Sequence, residues 1–382
     1  MRRLKVSVKS QRLSGCARTQ LLTRKRGPIF FPHNANNVTI VTKTDHSVLS
    51  ELLDEELGSD PTTVRHLTNH LPMALVAKAN LGADDDELRR FATIYARRNV
   101  PLAAVQHELT RANWTSAIGQ KGASGDLRDY FVRCVSDAGV DETLRAHLPA
   151  LLPGISGAAF HGAIRLAYAL EVQSPTRVAA GLSYLAEVAA PLGPITPSET
   201  KSDDPVELIV NYSSSHRWAS AAKDQNIGGR MHSVTQEESF QRLASSLQLD
   251  EHSGQKLAEV ALLIYAATDD FTALHGVTGM AAISSLRQWI DNPAQVDLFS
   301  FQALAAAYLT IDAPPLWSPA RLDDFVASNA TTRADVGLVG ATNNDEHVSK
   351  LIYTAHRNWE ATGDPLYLAV AARKAGLLGA HD

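Results

Sequence analysis

Fourteen histidines run through this 382-residue chain, and their neighbours divide them into two groups. His33, His46 and His381 lie at polar or terminal positions. His107, His147, His216, His232, His252 and His347 fall among mixed or charged residues and are expected at the surface. His161 instead lies among Gly157, Ala158, Ile164, Leu166 and Tyr168, and His275 among Phe271, Leu274, Val277 and Met280, so both are expected to be buried. One buried imidazole alone is ordinarily a core residue hydrogen-bonded to a carbonyl. A glycine follows each of these two, in an Ala-Phe-His-Gly-Ala and an Ala-Leu-His-Gly-Val segment. The shared dipeptide suggests matching roles, because a missing side chain lets another helix or a ligand approach closely.

Four further residues could join them. His356 has Ile352 and Tyr353 one turn before it and Trp359 and Glu360 one turn after. Glu360 could orient the imidazole as the outer partner of a metal ligand, or the two could form an exposed helix pair. His66 and His70 are four residues apart, a spacing that on one helix can bring both rings to a single ion, and Leu71-Pro72-Met73 makes the surroundings of His70 the more apolar. Lys374 has Val370, Ala371, Leu377 and Leu378 at helical spacing, which puts an ammonium on a core face. As a neutral amine it could take up carbon dioxide and become an anionic oxygen ligand; alternatively, it snorkels near a helix end. Imidazole with oxygen donors suits Fe, Mn, Zn, Cu and Ni alike.

The elements that must position these residues read as helices with short breaks. Ala and Leu dominate the apolar content and β-branched runs are scarce, with Val38-Thr39-Ile40-Val41 the one weak strand candidate, so the fold class expected is all-α, a single large multi-helix domain over residues 45–382. Asp60-Pro61-Thr62 predicts a helix start ahead of Val64, Leu67 and Leu71, and other helices are expected at about 101–118, 155–171 and 343–361. Residues 191–205 hold four prolines and predict an exposed linker or active-site loop, while Ser213 to Gly229 reads as a possible lid.

Charge separates the chain into two parts. Residues 1–44 carry ten Lys or Arg and no acid, and are expected to form a disordered extension or an organellar transit peptide. The remaining body is strongly acidic, which argues against a nucleic-acid partner. Cys16 and Cys134 allow neither a disulfide framework nor a cysteine-based zinc site, and a cytoplasmic location is expected. No apolar stretch is long enough for a membrane partner. The absence of any GxG removes the flavin or nicotinamide fingerprint.

Asn69-His70-Leu71-Pro72-Met73-Ala74, Leu81-Gly82-Ala83 and Phe91 to Tyr95, followed by the His161-Gly162, His275-Gly276, His356 and Lys374 segments, resemble the questin oxidase-like family over roughly residues 60–378. The resemblance implies a non-haem iron oxygenase that cleaves a ring of an anthraquinone-like or other polycyclic aromatic substrate with dioxygen, by a Baeyer–Villiger-type or dioxygenase outcome. It also implies Fe(2+) held by four histidines and a carboxylated lysine. Carried over by position, these are His70, His161, His275, His356 and Lys374, with the metal centre itself as the catalytic group. His66, Phe271, Tyr353, Trp359 and Glu360 are the expected supporting or pocket residues. A hydrolase using the same site, or a helical binding module with structural histidines, are the alternatives.

Overall fold

The computed structural model describes residues 47–215, 226–329 and 332–377. The basic head, the Val38–Val41 segment and residues 216–225 of the lid candidate lie outside the described residues. In chain order the helices are α1 (Ser47–Glu56), α2 (Leu71–Asn80), α3 (Asp85–Ala96), α4 (Ser124–Ala138), α5 (Val140–Leu151), α6 (His161–Glu171), α7 (Pro175–Val188), α8 (Pro205–Ser215) and α9 (Ile227–Val234). They continue with α10 (Glu238–Ser246), α11 (Ser253–Thr268), α12 (Phe271–Leu286), α13 (Pro293–Leu309), α14 (Pro319–Ser328), α15 (Arg333–Thr342), α16 (Glu346–Thr362) and α17 (Pro365–Lys374). Among the described residues the only sheet is the antiparallel pair β1 (Ser59–Thr63) and β2 (Asn99–Pro101), with Ser59 opposite Pro101 and Thr63 opposite Asn99. The fold is therefore all-α around one hydrophobic core. No described helix is long and apolar enough to cross a membrane.

Four helices form a closed ring through successive packing, α2 on α6, α6 on α12, α12 on α16 and α16 back on α2. α12 is apolar all round, as a helix packed on several sides must be.

Three expected helix starts are corrected. Asp60 accepts from the Thr62 backbone N–H at 2.9 Å and its hydroxyl at 2.6 Å, a local turn, and Pro61 lies in β1 rather than opening a helix. The first-turn proline of this region is Pro72, and Asn69 Oδ1 accepts from Leu71 N at 3.0 Å just ahead of α2. His66 consequently lies in an exposed turn with φ of 58° and shares no helix with His70. Residues 102–113 carry no regular helix and lead into a short 3₁₀ turn, Trp114–Ala117. Residues 191–204 are irregular as expected, and are tied down by Thr196 N to Gln241 O at 2.9 Å and Ser202 N to Ser246 O at 3.0 Å.

The start of α6 shapes the site. α6 does not begin near residue 155 but at His161, after Ala158, Ala159 and Phe160 take left-handed φ values of 49°, 54° and 68°. Such a conformation costs roughly 1–2 kcal/mol per non-glycine residue, so something must hold it. The fully buried Phe160 ring lies where Gly279 of α12 has no side chain: a Cβ there would meet Phe160 Cγ at 2.5 Å. A Gly279→Ala protein should lose about 1–3 kcal/mol of stability by overpacking, read by urea denaturation. Gly276→Ala, whose Cβ would meet Leu304 Cδ1 at an ordinary 3.5 Å, should be neutral or slightly stabilising.

Candidate metal centre

His70 precedes the first residue of α2, His161 is the first residue of α6, His275 lies one turn into α12 and His347 is in the first turn of α16. Their rings close a square. Centroids are 4.6 Å apart for His70 and His161, 4.7 Å for His161 and His275, 5.5 Å for His275 and His347, and 4.7 Å for His347 and His70. One ligand atom each from His70, His161 and His347 lie within 4.8 Å of one another. Metal–nitrogen bonds of about 2.0–2.1 Å put opposed ligands about 4 Å apart, so small rotations would seat an ion.

The hydrogen bonds define the tautomers. His161 Nδ1 is 2.5 Å from Ala158 O, His275 Nδ1 is 2.7 Å from Phe271 O, and His347 Nδ1 is 3.0 Å from Asp345 Oδ1. A carbonyl or carboxylate oxygen only accepts, so each Nδ1 donates and each Nε2 carries the free lone pair. For His161 and His275 that Nε2 is buried without a hydrogen-bond partner. An orienting oxygen behind the ring and a bare nitrogen in front is the arrangement metal-binding imidazoles adopt. The left-handed run before α6 serves the same end, because it turns the Ala158 carbonyl onto His161.

His70 is held differently. Its backbone N–H donates to Tyr95 Oη at 2.8 Å, while its Nδ1 faces Lys350 Nζ at 3.3 Å and Glu346 Oε1 at 3.6 Å. Arg98 pairs with the same Glu346 oxygen at 3.2 Å. Burial pushes the pKa of His275 down to about 3 and lowers those of His70 and His161 well below the usual imidazole value, with neighbouring cations and imidazoles adding to it. His347 is lowered by burial against the opposing pull of Asp345, and Asp345, bonded to His347, falls to about 2. Burial likewise brings Lys350 down to about 8. The imidazoles are thus neutral near pH 7, as metal binding requires.

The structure brings together His70, His161 and His275 of the expected ligands. His356 does not join them. It lies nine residues after His347 on α16, half a turn round the helix at 100° per residue. It is buried instead beside α15, with its Cε1 3.5 Å from where a Gly337 Cβ would lie. Glu360 is exposed and pairs with Arg333 rather than orienting His356. Lys374 is half-buried at the end of α17, and its charge reaches His275 and Asp345. Tyr353 is bonded to Glu171 at 2.8 Å, Trp359 is half-buried, and neither makes a ring contact with the square among the described residues. Phe271 does touch it: half exposed, its ring meets His275 at 4.6 Å and His347 at 4.7 Å. The residues that sequence reasoning missed are His347, Lys350, Asp345 and Glu346. Their signal was the spacing of His347, Lys350 and Thr354 along one helical face. His147, expected at the surface, is buried and bonded to Tyr130 Oη at 2.9 Å and Thr143 O at 2.7 Å.

His356 also makes stability depend on pH. Burial first, then Arg333, lowers its pKa from 6.5 to about 4. Between those values the unfolded chain binds a proton that the folded one refuses, so stability is complete above about 6.5 and declines as pH falls toward 4. The full effect is on the order of 3 kcal/mol. Unfolding free energies measured from pH 7 to pH 4 should fall less steeply for His356→Leu than for the unmodified protein.

A family model described as Questin oxidase-like matches residues 67–355. The matched interval takes in His70, His161, His275, His347 and Lys350, and stops short of His356 and Lys374. No curated protein matches the chain. With well over half of its residues matched, the chain belongs to the Questin oxidase-like family, and its activity is of the oxidoreductase, oxygenase type.

Proposed function

We propose that this protein is a non-haem iron oxygenase that opens a ring of an anthraquinone-like or related polycyclic aromatic substrate, with His70, His161, His275 and His347 as the iron-binding imidazoles. The observation that carries the reading is the closed square of four imidazoles, three buried and His347 partly buried, with Nδ1 of three of them bonded and with two unpartnered Nε2 atoms. Ferrous iron bound there would supply the electron transfer to dioxygen that no side chain of the twenty provides. The chain's own residues bind, orient and shield. Asp345, Ala158 O and Phe271 O hold three rings against rotation. Phe271 offers a half-exposed apolar face over two of the imidazoles, against which a planar ring can lie.

Lys350 takes the place first assigned to Lys374. Its side chain is fully buried within 3.3 Å of His70, and burial has already weakened the ammonium. The neutral amine adds carbon dioxide at Nζ, forming a C–N bond and releasing one proton, to give a carbamate whose oxygens suit a metal. Lys78, the other fully buried lysine among the described residues, is engaged by Glu87 and Ala341 O and is given no such role.

After anaerobic reconstitution the protein should hold close to one equivalent of iron. His347→Ala and Lys350→Ala should lower iron affinity roughly tenfold or more, whereas His356→Ala and Lys374→Ala should retain it, measured by competition with a chelator. Iron lost with His356 and kept without His347 would remove the assignment. Oxygen uptake should depend on an added aromatic hydroquinone. In Phe271→Ala the KM for that substrate should rise several-fold at unchanged iron content.

A further inference from the structure

Behind the His70 side of the square lies a group of charged side chains that the reaction does not use. Arg165 sits one turn after His161 on α6 and is 4% exposed. Its Nη1 donates to the backbone oxygen of Asn69 at 3.0 Å and its Nη2 to Glu56 Oε1 at 2.6 Å. Asn69, fully buried, donates its own Nδ2 to the same Glu56 oxygen at 3.1 Å and accepts from Leu71 N at 3.0 Å. One guanidinium fork therefore grips the residue immediately before His70 from the helix that carries His161. An ion pair this deep is a poor source of stability, since the desolvation of both charges offsets their attraction. Its geometry has a clear consequence, because it ties the backbone of one histidine to the helix of another.

We infer that Arg165, with Glu56 and Asn69, is a positioning device that sets the separation and stacking of the His70 and His161 rings. This rests on the metal-centre reading for its purpose, while the coupling itself is a property of the polypeptide.

The test is a Glu56→Gln/Arg165→Met protein, which removes both charges and leaves no ion buried alone. The comparator is Asp297→Asn/Arg287→Met, which removes the ion pair joining the end of α12 to α13. In metal-free protein, hydrogen exchange of residues 66–74 should accelerate at least tenfold in the first variant and stay unchanged in the comparator. In the iron-reconstituted protein, chelator competition should show affinity lowered roughly 10- to 100-fold in the first variant alone. The visible spectrum of the cobalt(II)-loaded protein should shift with it. Arg165→Lys, which retains a donor for Asn69 O, should fall between the two. Unchanged exchange at residues 66–74, or equal losses in both double variants, would overturn the inference. Faster exchange in a protein that binds neither metal even when unmodified would uphold the coupling and sink the metal-centre reading instead.

Discussion

The constraint on which this molecule turns is that buried imidazoles must be satisfied on one nitrogen only. A core histidine normally finds partners for both, as His147 does through Thr143 and Tyr130. His161 and His275 are as deeply buried, yet each has a partner for Nδ1 and none for Nε2. Leaving a buried acceptor unpaired costs about 1–3 kcal/mol; two such nitrogens lie on neighbouring rings within the four-helix ring, and a third unpartnered Nε2, that of His356, lies apart from them beside α15. Selection for stability alone would favour Leu or Phe at such positions. Retaining the imidazoles fits the proposed ligand role.

The expense extends to the supports. Three successive left-handed residues deliver His161, and a charged fork is desolvated to hold the segment before His70. Both are offset by ordinary packing nearby: Phe160 against Gly279, and the Leu and Ala faces of α6, α7 and α12. The close approach that allows this is visible at Gly162, where a Cβ would stand 2.9 Å from Leu185 Cα. Gly276, its counterpart after His275, meets nothing closer than 3.5 Å, so the shared His-Gly pair marks similarly bonded imidazoles rather than similar packing.

How much of this was legible in the sequence follows from the same physics. The all-α class was, because helical periodicity and Ala-Leu composition act over many residues. His161 and His275 were, because apolar neighbours at three and four positions report burial directly. His356 passed the same test and is indeed buried, but burial does not say toward which neighbour a helix face looks. His347 failed it because Asp345 and Glu346 beside it read as a solvated helix start. In the fold those acids are a cap and an inward-facing carboxylate. Pro61 misled for a related reason: Asp-Pro-Thr opens a helix or a turn equally well, and only pairing with Asn99–Pro101 decided for the strand.

The position of the four histidines along their helices gives the site its electrostatic character. All lie at or within about a turn of a helix N-terminus, where unpaired N–H groups place roughly half a positive charge. Together they discourage protonation of the rings, which keeps the lone pairs available, but they also oppose entry of a cation. Asp345 and Glu346 at the start of α16 offset part of this, and Arg98 takes up some of Glu346. An ammonium on Lys350 would add to the opposition, whereas a carbamate would reverse its sign and bring an anion within reach of the rings. On the proposed reading, that change of two charges on one buried side chain would let a site of neutral imidazoles and helix N-termini hold a divalent ion, and it favours the lysine on the His347 face over the one at the end of α17.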